Sequence, residues 1–536
     1  MFPQLLFMKN KLLILFIVLI GFSLRLWQIS KVPPGLSNDE ISIAYEAYSI
    51  VNTGKDSNGK LLPISFKSHN TYKAPLYIYI TAPFIKIFGN NEIAVRFPSV
   101  IFGTLTILGI YLLTRKLKLS ETIATISAFL LAITPWHVYT SRIGLESNLA
   151  LCLLIFGAYF FLIGTNRKKY LFLSSIVLGM SLYAYHTEQI FTPLLLLSLT
   201  WIYFREFSNK KDIFIFWFTF LVLVTPVFID SLFFDGGTRA GTEIFLKDFI
   251  LQNKISGVGN IFFKGYIIFT FWLDKYLQYI NPAYLFGHGL PINAPYGSSD
   301  FGLLNIIQFP LFLLGSVYLF ELKNRKIGLV LLIWLFIGPL IPSLTLGELN
   351  LVRNLVTIVP LTLVSACGIV WIIEKTKFKP LIVFILVAIL INFAFFYRYY
   401  LTYFPKYFSE NWSYGFKETA TYAREHQEKY KKIVFDYQYG TDVDLYGAPS
   451  LFFLYFNKIN PNEFLKEVKR DNFLSFEKYE FRRVDWPSED VQPGTLYIVG
   501  VRSNPVQNNL LFQKVREIYS VNLLDNRKAF KFYESY

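Results

Sequence analysis

Two adjacent carboxylates, Asp39 and Glu40, follow the first hydrophobic stretch of the chain, in a segment that begins with Pro-Pro-Gly at residues 33–35. The residues after the pair have helical character, which places both acids at a helix N-terminus. Two interpretations are open. Either Asn38 or Asp39 caps the first helical turn, or one carboxylate is a general base beside a membrane-bound substrate, with its basicity set by burial and a nearby cation. Ionisable groups beside a membrane are costly to hold and usually serve a function.

Lys73 is the second candidate, at the start of an apolar amphipathic stretch and directly after Tyr72. Its ammonium group either extends to the lipid headgroups or binds a substrate phosphate as a point charge. The sequence favours neither interpretation over the other.

A third cluster lies in residues 135–146, a predicted outer turn between two membrane spans. Arg142 and Glu146 are four residues apart, a spacing that suits an ion pair on one helical face. A carboxylate at this place is equally suited to position a substrate or a metal ion. Arg96, near the outer end of the second predicted span, 91–114, has the same two interpretations, structural or substrate-binding.

The histidines give no metal signal, because no pair has the His-x-x-x-His spacing of a helical metal site. His186 is the most suggestive of them, since it lies at a predicted span end beside Glu188. A hydrogen-bonded interfacial histidine is the simpler interpretation. Arg239 and Arg353 lie in predicted outer segments and are candidates for binding an anion.

The composition indicates a polytopic membrane protein. Of the 536 residues, 53% are hydrophobic and only 17% are charged, whereas soluble domains carry about 25% charged residues. The net charge of +15 comes with basic residues clustered in short loops between apolar runs. That distribution is a topology signal, so nucleic-acid binding is excluded. Cys152 and Cys367 lie inside apolar runs and are expected to be small core residues.

The apolar runs predict about eleven membrane spans. The predicted spans are 11–29, 91–114, 121–139, 144–164, 170–187, 190–205, 212–230, 302–320, 327–346, 352–373 and 380–400. With a cytoplasmic N-terminus, every inner loop is a basic cluster, as the positive-inside rule requires. The run from Ile261 to Trp272 is short, and counting it as a span would move the basic loop at 323–326 outside. It is therefore expected to be an interfacial or re-entrant helix in a large outer loop, 231–300.

From residue 402 the composition becomes more polar, and short alternating runs at 432–437, 496–500 and 529–533 predict strands. A helix is expected over 414–429. The predicted organisation is a membrane domain, 1–401, with outer loops near 30–90 and 231–300, followed by a small extracytoplasmic α/β domain, 402–536. Since the large loops and the tail all face outside, the chemistry is expected on the side without ATP.

Together, these motifs resemble the dolichyl-phosphate-mannose protein mannosyltransferase superfamily, which includes the aminoarabinose transferases of lipid A. The resemblance covers about residues 10–400 and is strongest before residue 150. The motifs that carry it are Pro33-x-Gly35-Leu36 with Asp39-Glu40, Lys73-Ala74-Pro75-Leu76, Phe88-Gly89, Arg96-Phe97-Pro98-Ser99, Pro135-Trp136-His137 with Ser141-Arg142 and Glu146, Pro342-Ser343-Leu344-Thr345 and Arg353-Asn354 with Pro360.

The resemblance implies a GT-C glycosyltransferase that takes one sugar, a hexose or a pentose, from a polyprenyl-phosphate carrier. It implies that Asp39 is the general base on an acceptor hydroxyl, with inversion at the anomeric carbon, and that Lys73 binds the carrier phosphate. Glu146 stands where relatives carry an aspartate, which leaves open both its role and whether the reaction uses a divalent cation. Lys73-Ala74-Pro75 replaces the His-Pro-Pro form of protein mannosyltransferases, so a lipid, polysaccharide or protein acceptor remains open.

The sequence therefore predicts an integral glycosyltransferase of the plasma membrane that acts on its extracytoplasmic face. Lys73, with Arg239 or Arg353, would neutralise the leaving phosphate. Glu40 and Glu146 would orient the acceptor or Asp39, and the further substrate-binding candidates are Tyr72, Arg96, Arg142 and His186. One alternative is a transporter or flippase of lipid-linked sugars, which predicts ionisable residues near the midplane of the spans. The other is a non-catalytic assembly protein that recruits partners through its tail.

Overall fold

The chain is predominantly helical up to residue 402 and mixed α/β after it. The computed structural model describes residues 2–68, 71–233, 244–289, 300–376, 378–439, 449–464, 468–470, 473–503, 505 and 514–536. The helices before residue 300 are α1 Phe2–Leu26, α2 Asn38–Thr53, α3 Pro75–Phe88, α4 Glu92–Lys116, α5 Glu121–Ala132, α6 Pro135–Thr140, α7 Ser147–Gly164, α8 Lys168–Ala184, α9 Glu188–Tyr203, α10 Lys211–Phe233, α11 Phe249–Ile255 and α12 Ile261–Tyr279. Those after residue 300 are α13 Gln308–Glu321, α14 Arg325–Ser343, α15 Ile358–Thr376, α16 Lys379–Thr402, α17 Phe404–Tyr407, α18 Phe416–His426, α19 Pro449–Phe456 and α20 Pro461–Phe464.

Each predicted span coincides with helical structure, and the protein is a helical membrane protein. Within the described part of the chain, 6 helices are long and apolar enough to cross a membrane. They are 92–116, 147–164, 211–233, 325–343, 355–376 and 380–402. The predicted count of about eleven spans remains a prediction, because several of the other helices are short or interrupted.

The predicted span 121–139 is interrupted at a proline. Helix α5 ends at Ala132, and α6 begins at Pro135, which occupies the first turn of the new helix. Proline is compatible with that position because the amide that it lacks would have no intrahelical partner there. The 12 residues of α5 span only about 18 Å, so α5 alone is shorter than the apolar core of a bilayer.

The segment predicted to be an interfacial helix is longer than expected. It forms α12, with 19 residues, and Asn260 accepts hydrogen bonds from the first amides of the helix. One face of α12 packs against α11 in a small apolar cluster around Leu251, and the opposite face exposes 86% of Phe262. This amphipathic arrangement is consistent with a helix at a membrane surface.

The chain folds as two compact units, and each unit is assembled from separate stretches of the sequence. The first unit comprises residues 1–27, 70–77 and 98–398, and the second comprises residues 28–69, 78–97 and 399–536. The second unit therefore contains the Asp39 segment as well as the tail. The predicted boundary at residue 402 remains a prediction.

Close helix packing in the first unit depends on small residues. A Cβ atom on Gly315 of α13 would overlap the carbonyl oxygen of Val364 on α15, and one on Gly368 of α15 would overlap the carbonyl oxygen of Leu311. The reciprocal pair lets the two backbones approach, as small residues do between membrane helices.

The second unit is built on a seven-stranded mixed sheet, and all the predicted strands of the tail occur in it. Its strands are β3 Lys432–Phe435, β4 Val468–Arg470, β5 Phe473–Phe476, β6 Tyr479–Phe481, β7 Thr495–Gly500, β8 Val515–Asn522 and β9 Lys528–Ser535, in the order β4-β5-β6-β3-β7-β9-β8; two short strands precede them in the chain, β1 Phe66–Ser68 and β2 Thr71–Lys73. The central strand β3 pairs in parallel with β6 and β7. The predicted helix 414–429 is α18, followed by a 3₁₀ turn.

Candidate active site

The Asp39-Glu40 pair begins helix α2, but neither Asp39 nor Asn38 is its N-cap. The N-cap is Ser37, whose hydroxyl oxygen accepts a hydrogen bond from the Glu40 amide at 3.2 Å. The Glu40 carboxylate in turn accepts one from the Ser37 amide at 2.9 Å. This reciprocal capping box satisfies two amides of the first turn. The capping interpretation was therefore right about the turn but wrong about the residue, and the Ser-x-x-Glu spacing was its signature in the sequence.

Glu40 also forms a buried ion pair with Arg96 of α4. Arg96 Nε donates to Glu40 Oε1 at 2.8 Å, and Arg96 Nη2 donates to Oε2 at 3.1 Å. Both side chains are 0% exposed. A bidentate arginine–carboxylate pair of this kind fixes orientation as well as contributing energy.

The remaining donors of Arg96 hold the segment that leads to Asp39. Arg96 Nη1 donates to the carbonyl oxygens of Ile29 and Pro33, each at 2.9 Å, and Nη2 donates to that of Gly35. A guanidinium has five N–H groups, so all of them are engaged by protein oxygens. In this arrangement no N–H of Arg96 is left for a substrate, and Glu40 serves the helix start. We therefore assign both residues to positioning.

Asp39 differs from its neighbour in exposure. Its side chain is half-buried, whereas Glu40 is fully buried. Successive residues of an α-helix point about 100° apart, so one carboxylate is directed into the protein and the other is directed elsewhere. Of the two predicted catalytic acids, Asp39 is the one that retains solvent access.

In the first unit, three of the predicted site residues come together around Lys73. Lys73 is the last residue of β2, two residues before α3 begins at Pro75, and it is 4% exposed. His186 Nε2 lies 3.0 Å from the carbonyl oxygen of Tyr72. A carbonyl only accepts, so Nε2 carries the proton, and His186 supports the backbone that bears Lys73. Tyr72 itself is buried.

Arg142 and Glu146 do not share a helical face, because the segment between α6 and α7 that contains both is a non-helical turn. Arg142 Nη1 donates to the carbonyl oxygens of Leu24 at 2.9 Å and Arg25 at 3.0 Å, near the end of α1. Both Arg142 and Glu146 are buried. The two residues therefore do not lie on one helical face, as the sequence analysis allowed.

A second buried arginine, which the sequence analysis did not single out, connects the end of α1 to the end of α5. Arg25 Nη1 donates to the carbonyl oxygens of Gly21 at 2.8 Å and Ala132 at 3.1 Å, and Nη2 donates to that of Leu131 at 3.3 Å. Arg25 Nη2 also lies 2.7 Å from Nδ1 of His137. Cations are favoured at helix C-termini, where carbonyls lack partners. An arginine inside the first apolar run was the available signal.

Arg353 lies half-buried after a turn that is held by two side chains. The side-chain oxygen of Asn350 accepts from the Arg353 amide at 3.2 Å, and Tyr279 Oη accepts from the Asn350 amide at 3.1 Å. Lys275 Nζ donates to the carbonyl oxygen of Thr345 at 2.9 Å. Burial lowers the pKa of Lys275; Asp248 raises it, and the charge of Arg353 lowers it. Two cations, Lys275 and Arg353, are therefore close enough to influence each other beside this turn. Arg239 lies outside the described residues.

Metal binding has no cluster to support it in the part of the chain that the structure describes. There, no three or more His, Cys, Asp or Glu side chains are grouped so that they could hold an ion. No step is assigned to a metal.

Comparison with known proteins shows that the chain is similar to membrane glycosyltransferases. Residues 72–229 match the family model described as dolichyl-phosphate-mannose-protein mannosyltransferase. The structure is similar to that of ArnT from Cupriavidus metallidurans bound to undecaprenyl phosphate, with a TM-score of 0.54 and 11% identity, over 97% of this chain and 97% of that chain. The fold is that of the GT-C glycosyltransferases. The resemblance read from the motifs is thus confirmed.

A second similar structure is the archaeal oligosaccharyltransferase AglB from Archaeoglobus fulgidus, in complex with an inhibitory peptide and a dolichol-phosphate. Its TM-score is 0.50 at 14% identity, over 80% of this chain and 62% of that chain. This chain therefore spans less than two thirds of the length of AglB. No curated protein sequence matches the chain. At these identities the structural similarity establishes the fold.

The Arg96–Glu40 pair predicts a large loss of stability for Arg96→Met. Removing one partner of a buried pair leaves an uncompensated charge and costs about 3–5 kcal/mol. We expect the thermal unfolding midpoint of the purified protein to fall clearly. Arg516→Met is the control, because Arg516 is 70% exposed and lies 3.6 Å from Glu534; surface pairs contribute at most about 1 kcal/mol. Equal midpoints for the two variants would contradict the positioning role of Arg96.

Proposed function

We propose that this protein is a membrane glycosyltransferase that transfers one sugar from a polyprenyl-phosphate carrier to an acceptor hydroxyl, with Asp39 as general base. The observation that carries the proposal is the division of labour in Asp39-Glu40. Glu40 is buried against Arg96 and Ser37 and fixes the start of α2. Asp39 is half-buried and is not the N-cap of the helix. The family match over residues 72–229 and the GT-C fold support the same chemistry.

The transfer balances as a single displacement. The acceptor oxygen forms a bond to the anomeric carbon while the bond from that carbon to the phosphate oxygen breaks, and the configuration inverts. Asp39 accepts the hydroxyl proton, and the polyprenyl phosphate leaves with the electron pair. A carboxylate in the first turn of a helix is stabilised as the anion by the helix dipole. The ionised form of Asp39 is the one that can accept the proton.

Lys73 is proposed to bind the carrier phosphate. Lys73 is buried, and its backbone is held as the last residue of β2, by Pro75 two residues later and by the His186–Tyr72 contact. A fixed ammonium that meets the charge developing on the leaving phosphate lowers the barrier without reorganisation. Arg353 or Arg239 would add a second positive charge, and Glu146 would orient the acceptor.

The remaining features follow from the predicted topology. We propose a cytoplasmic N-terminus, a reaction on the extracytoplasmic face of the plasma membrane, and a donor supplied already activated in the lipid. The acceptor hydroxyl belongs to a lipid, a polysaccharide or a protein, and the transferred sugar is a hexose or a pentose. The transporter alternative predicts movement of the lipid-linked sugar without formation of a new glycosidic bond.

Asp39→Asn is expected to slow sugar transfer strongly while leaving donor binding intact, because asparagine keeps the size of the side chain but cannot accept the proton. The measurement is transfer of radiolabelled sugar from polyprenyl-phosphate donors in membranes, at matched expression. Loss of a general base slows a reaction by about 10²- to 10⁴-fold.

The control is Asn38→Asp, which adds a carboxylate at the exposed neighbouring position without altering the cap. This variant should neither lose activity nor rescue Asp39→Asn when the two are combined. An unchanged rate of transfer by Asp39→Asn would show that Asp39 is not the general base. Donor translocation without transfer, by the wild type, would favour the transporter.

Lys73→Met is expected to raise the donor KM with a smaller effect on the acceptor KM. Methionine keeps the length of the side chain but removes one charge-assisted contact, which contributes about 1.5–3 kcal/mol and corresponds to about 10- to 150-fold in affinity. Lys67→Met is the matched control, since Lys67 is exposed and lies shortly before Lys73 in the chain. A donor KM that is the same in both variants would argue against phosphate binding by Lys73.

A further inference from the structure

The tail of the chain contacts Arg96, the residue that holds the Asp39 segment. The ring of Trp412 lies with its centroid 5.9 Å from the guanidinium carbon of Arg96. Trp412 is 3% exposed and packs edge-on against Phe404 at 6.4 Å. The N–H groups of a guanidinium lie in its plane, so hydrogen bonds leave its two faces to aromatic rings. Trp412 therefore lies within cation–π distance of Arg96, whose N–H groups are engaged by Glu40 and the three carbonyl oxygens.

The same part of the tail also touches the Asp39 segment directly, through its backbone. A Cβ atom on Gly35 would overlap the carbonyl oxygen of Trp412 and would lie 3.2 Å from the Ser413 carbonyl carbon and 3.2 Å from the Tyr414 amide nitrogen. These neighbours are backbone atoms, so they cannot move aside as a flexible side chain does. Because the Gly35 carbonyl accepts from Arg96, the turn, the arginine and residues 412–414 form one cluster.

A second set of contacts joins the tail to the far half of helix α2. Tyr48 Oη donates to the carbonyl oxygen of Lys458 at 3.0 Å, and its ring meets that of Tyr455 edge-on at 6.5 Å. The ring of Tyr45 meets that of Phe464 edge-on at 6.0 Å. Helix α2 is therefore held by the tail at its middle as well as at its start.

The beginning of α4, one turn before Arg96, is held by the tail too. Lys417 Nζ donates to both carboxylate oxygens of Glu92, at 2.8 and 2.9 Å. Asn90 Nδ2 donates to the carbonyl oxygen of Tyr455 at 2.7 Å, and Tyr455 Oη donates to that of Asn91 at 3.2 Å. Both helices that meet at the Arg96–Glu40 pair are thus fastened to the tail.

We propose that residues 412–414 of the tail position Asp39 for sugar transfer, with Trp412 and Gly35 as the positioning residues. This proposal rests on the proposed role of Asp39 as base. A general base acts only within hydrogen-bond reach of the proton that it accepts, and a displacement of about 1 Å can cost 10²-fold in rate. The tail is thereby a part of the catalytic apparatus through its contacts with Arg96 and Gly35, in addition to any role in recruiting partners.

The test compares Trp412→Ala, Trp412→Phe and Gly35→Ala with the wild type in the transfer assay, at a temperature where each protein is folded. Trp412→Ala and Gly35→Ala are expected to lower kcat by roughly 10- to 100-fold with the donor KM unchanged. Trp412→Phe keeps an aromatic face over Arg96 and is expected to recover most of the activity. Loss of kcat without loss of donor affinity is the signature of a misplaced base.

Two matched controls separate positioning from folding. Trp486→Ala removes a tryptophan of the same tail, 5% exposed, that packs against Tyr497 and Tyr533 and not against Arg96; it should lower the unfolding midpoint but not kcat. Gly328→Ala adds a methyl group where the nearest atom is 3.9 Å away, and it should leave activity unchanged. Equal kcat values for Trp412→Ala and wild type would overturn the proposal.

An activity-independent measurement keeps this proposal distinct from the proposed function. A nitroxide label on Asn38→Cys, at the exposed position beside Asp39, reports the motion of the helix start. Its mobility should rise in the Trp412→Ala and Gly35→Ala backgrounds and not in Trp486→Ala. If the wild type had no transferase activity but the label showed this pattern, only the proposed function would be contradicted. If the mobility of the label were unchanged in Trp412→Ala and Gly35→Ala, the positioning role of Trp412 and Gly35 would be contradicted.

Discussion

A single buried guanidinium organises the start of the Asp39 helix. Burying a charge costs several kcal/mol unless it is paired and its hydrogen bonds are satisfied, and Arg96 meets both conditions with Glu40 and three carbonyl groups. Those carbonyls belong to the turn before α2, so satisfying Arg96 also folds that turn. Glu40 is shared between the ion pair and the capping box. The geometry of the helix start therefore depends on Arg96.

This arrangement explains how two neighbouring acids have different tasks. One turn of an α-helix distributes its side chains around the axis, so burial of Glu40 against Arg96 determines that Asp39 is directed elsewhere. In the first unit, Lys73 is likewise positioned by its neighbours, because its backbone is fixed by Pro75 and by the His186–Tyr72 contact. In each unit, a residue proposed to contact the substrate, Asp39 or Lys73, is adjacent in sequence to a residue that contacts other parts of the protein, Glu40 or Tyr72.

The sequence predicted the helices and the chemical residue types better than the contacts between them. The long apolar runs and the alternating runs of the tail reflect burial patterns that are local in the sequence, so α4, α15 and the strand β7 could be located. The break before Pro135 and the start of α12 at the Asn260 cap are each set by a single residue, so the periodicity of the apolar runs did not predict them. Asp39 and Glu40 were recognisable by type. The role of Arg96 was not, because three of its acceptors are backbone carbonyls, which leave no residue-specific signal, and because Ile29 lies 67 residues away.

Backbone hydrogen exchange in the Arg96→Met variant tests this dependence most directly. The amides of residues 36–41 are expected to exchange much faster than in the wild type, because the turn and the capping box lose their common partner. The amides of β3, at residues 432–435, lie in the centre of the sheet and should keep their protection, which shows that the tail remains folded. Unchanged exchange over residues 36–41 would contradict the central role of Arg96 in holding Asp39.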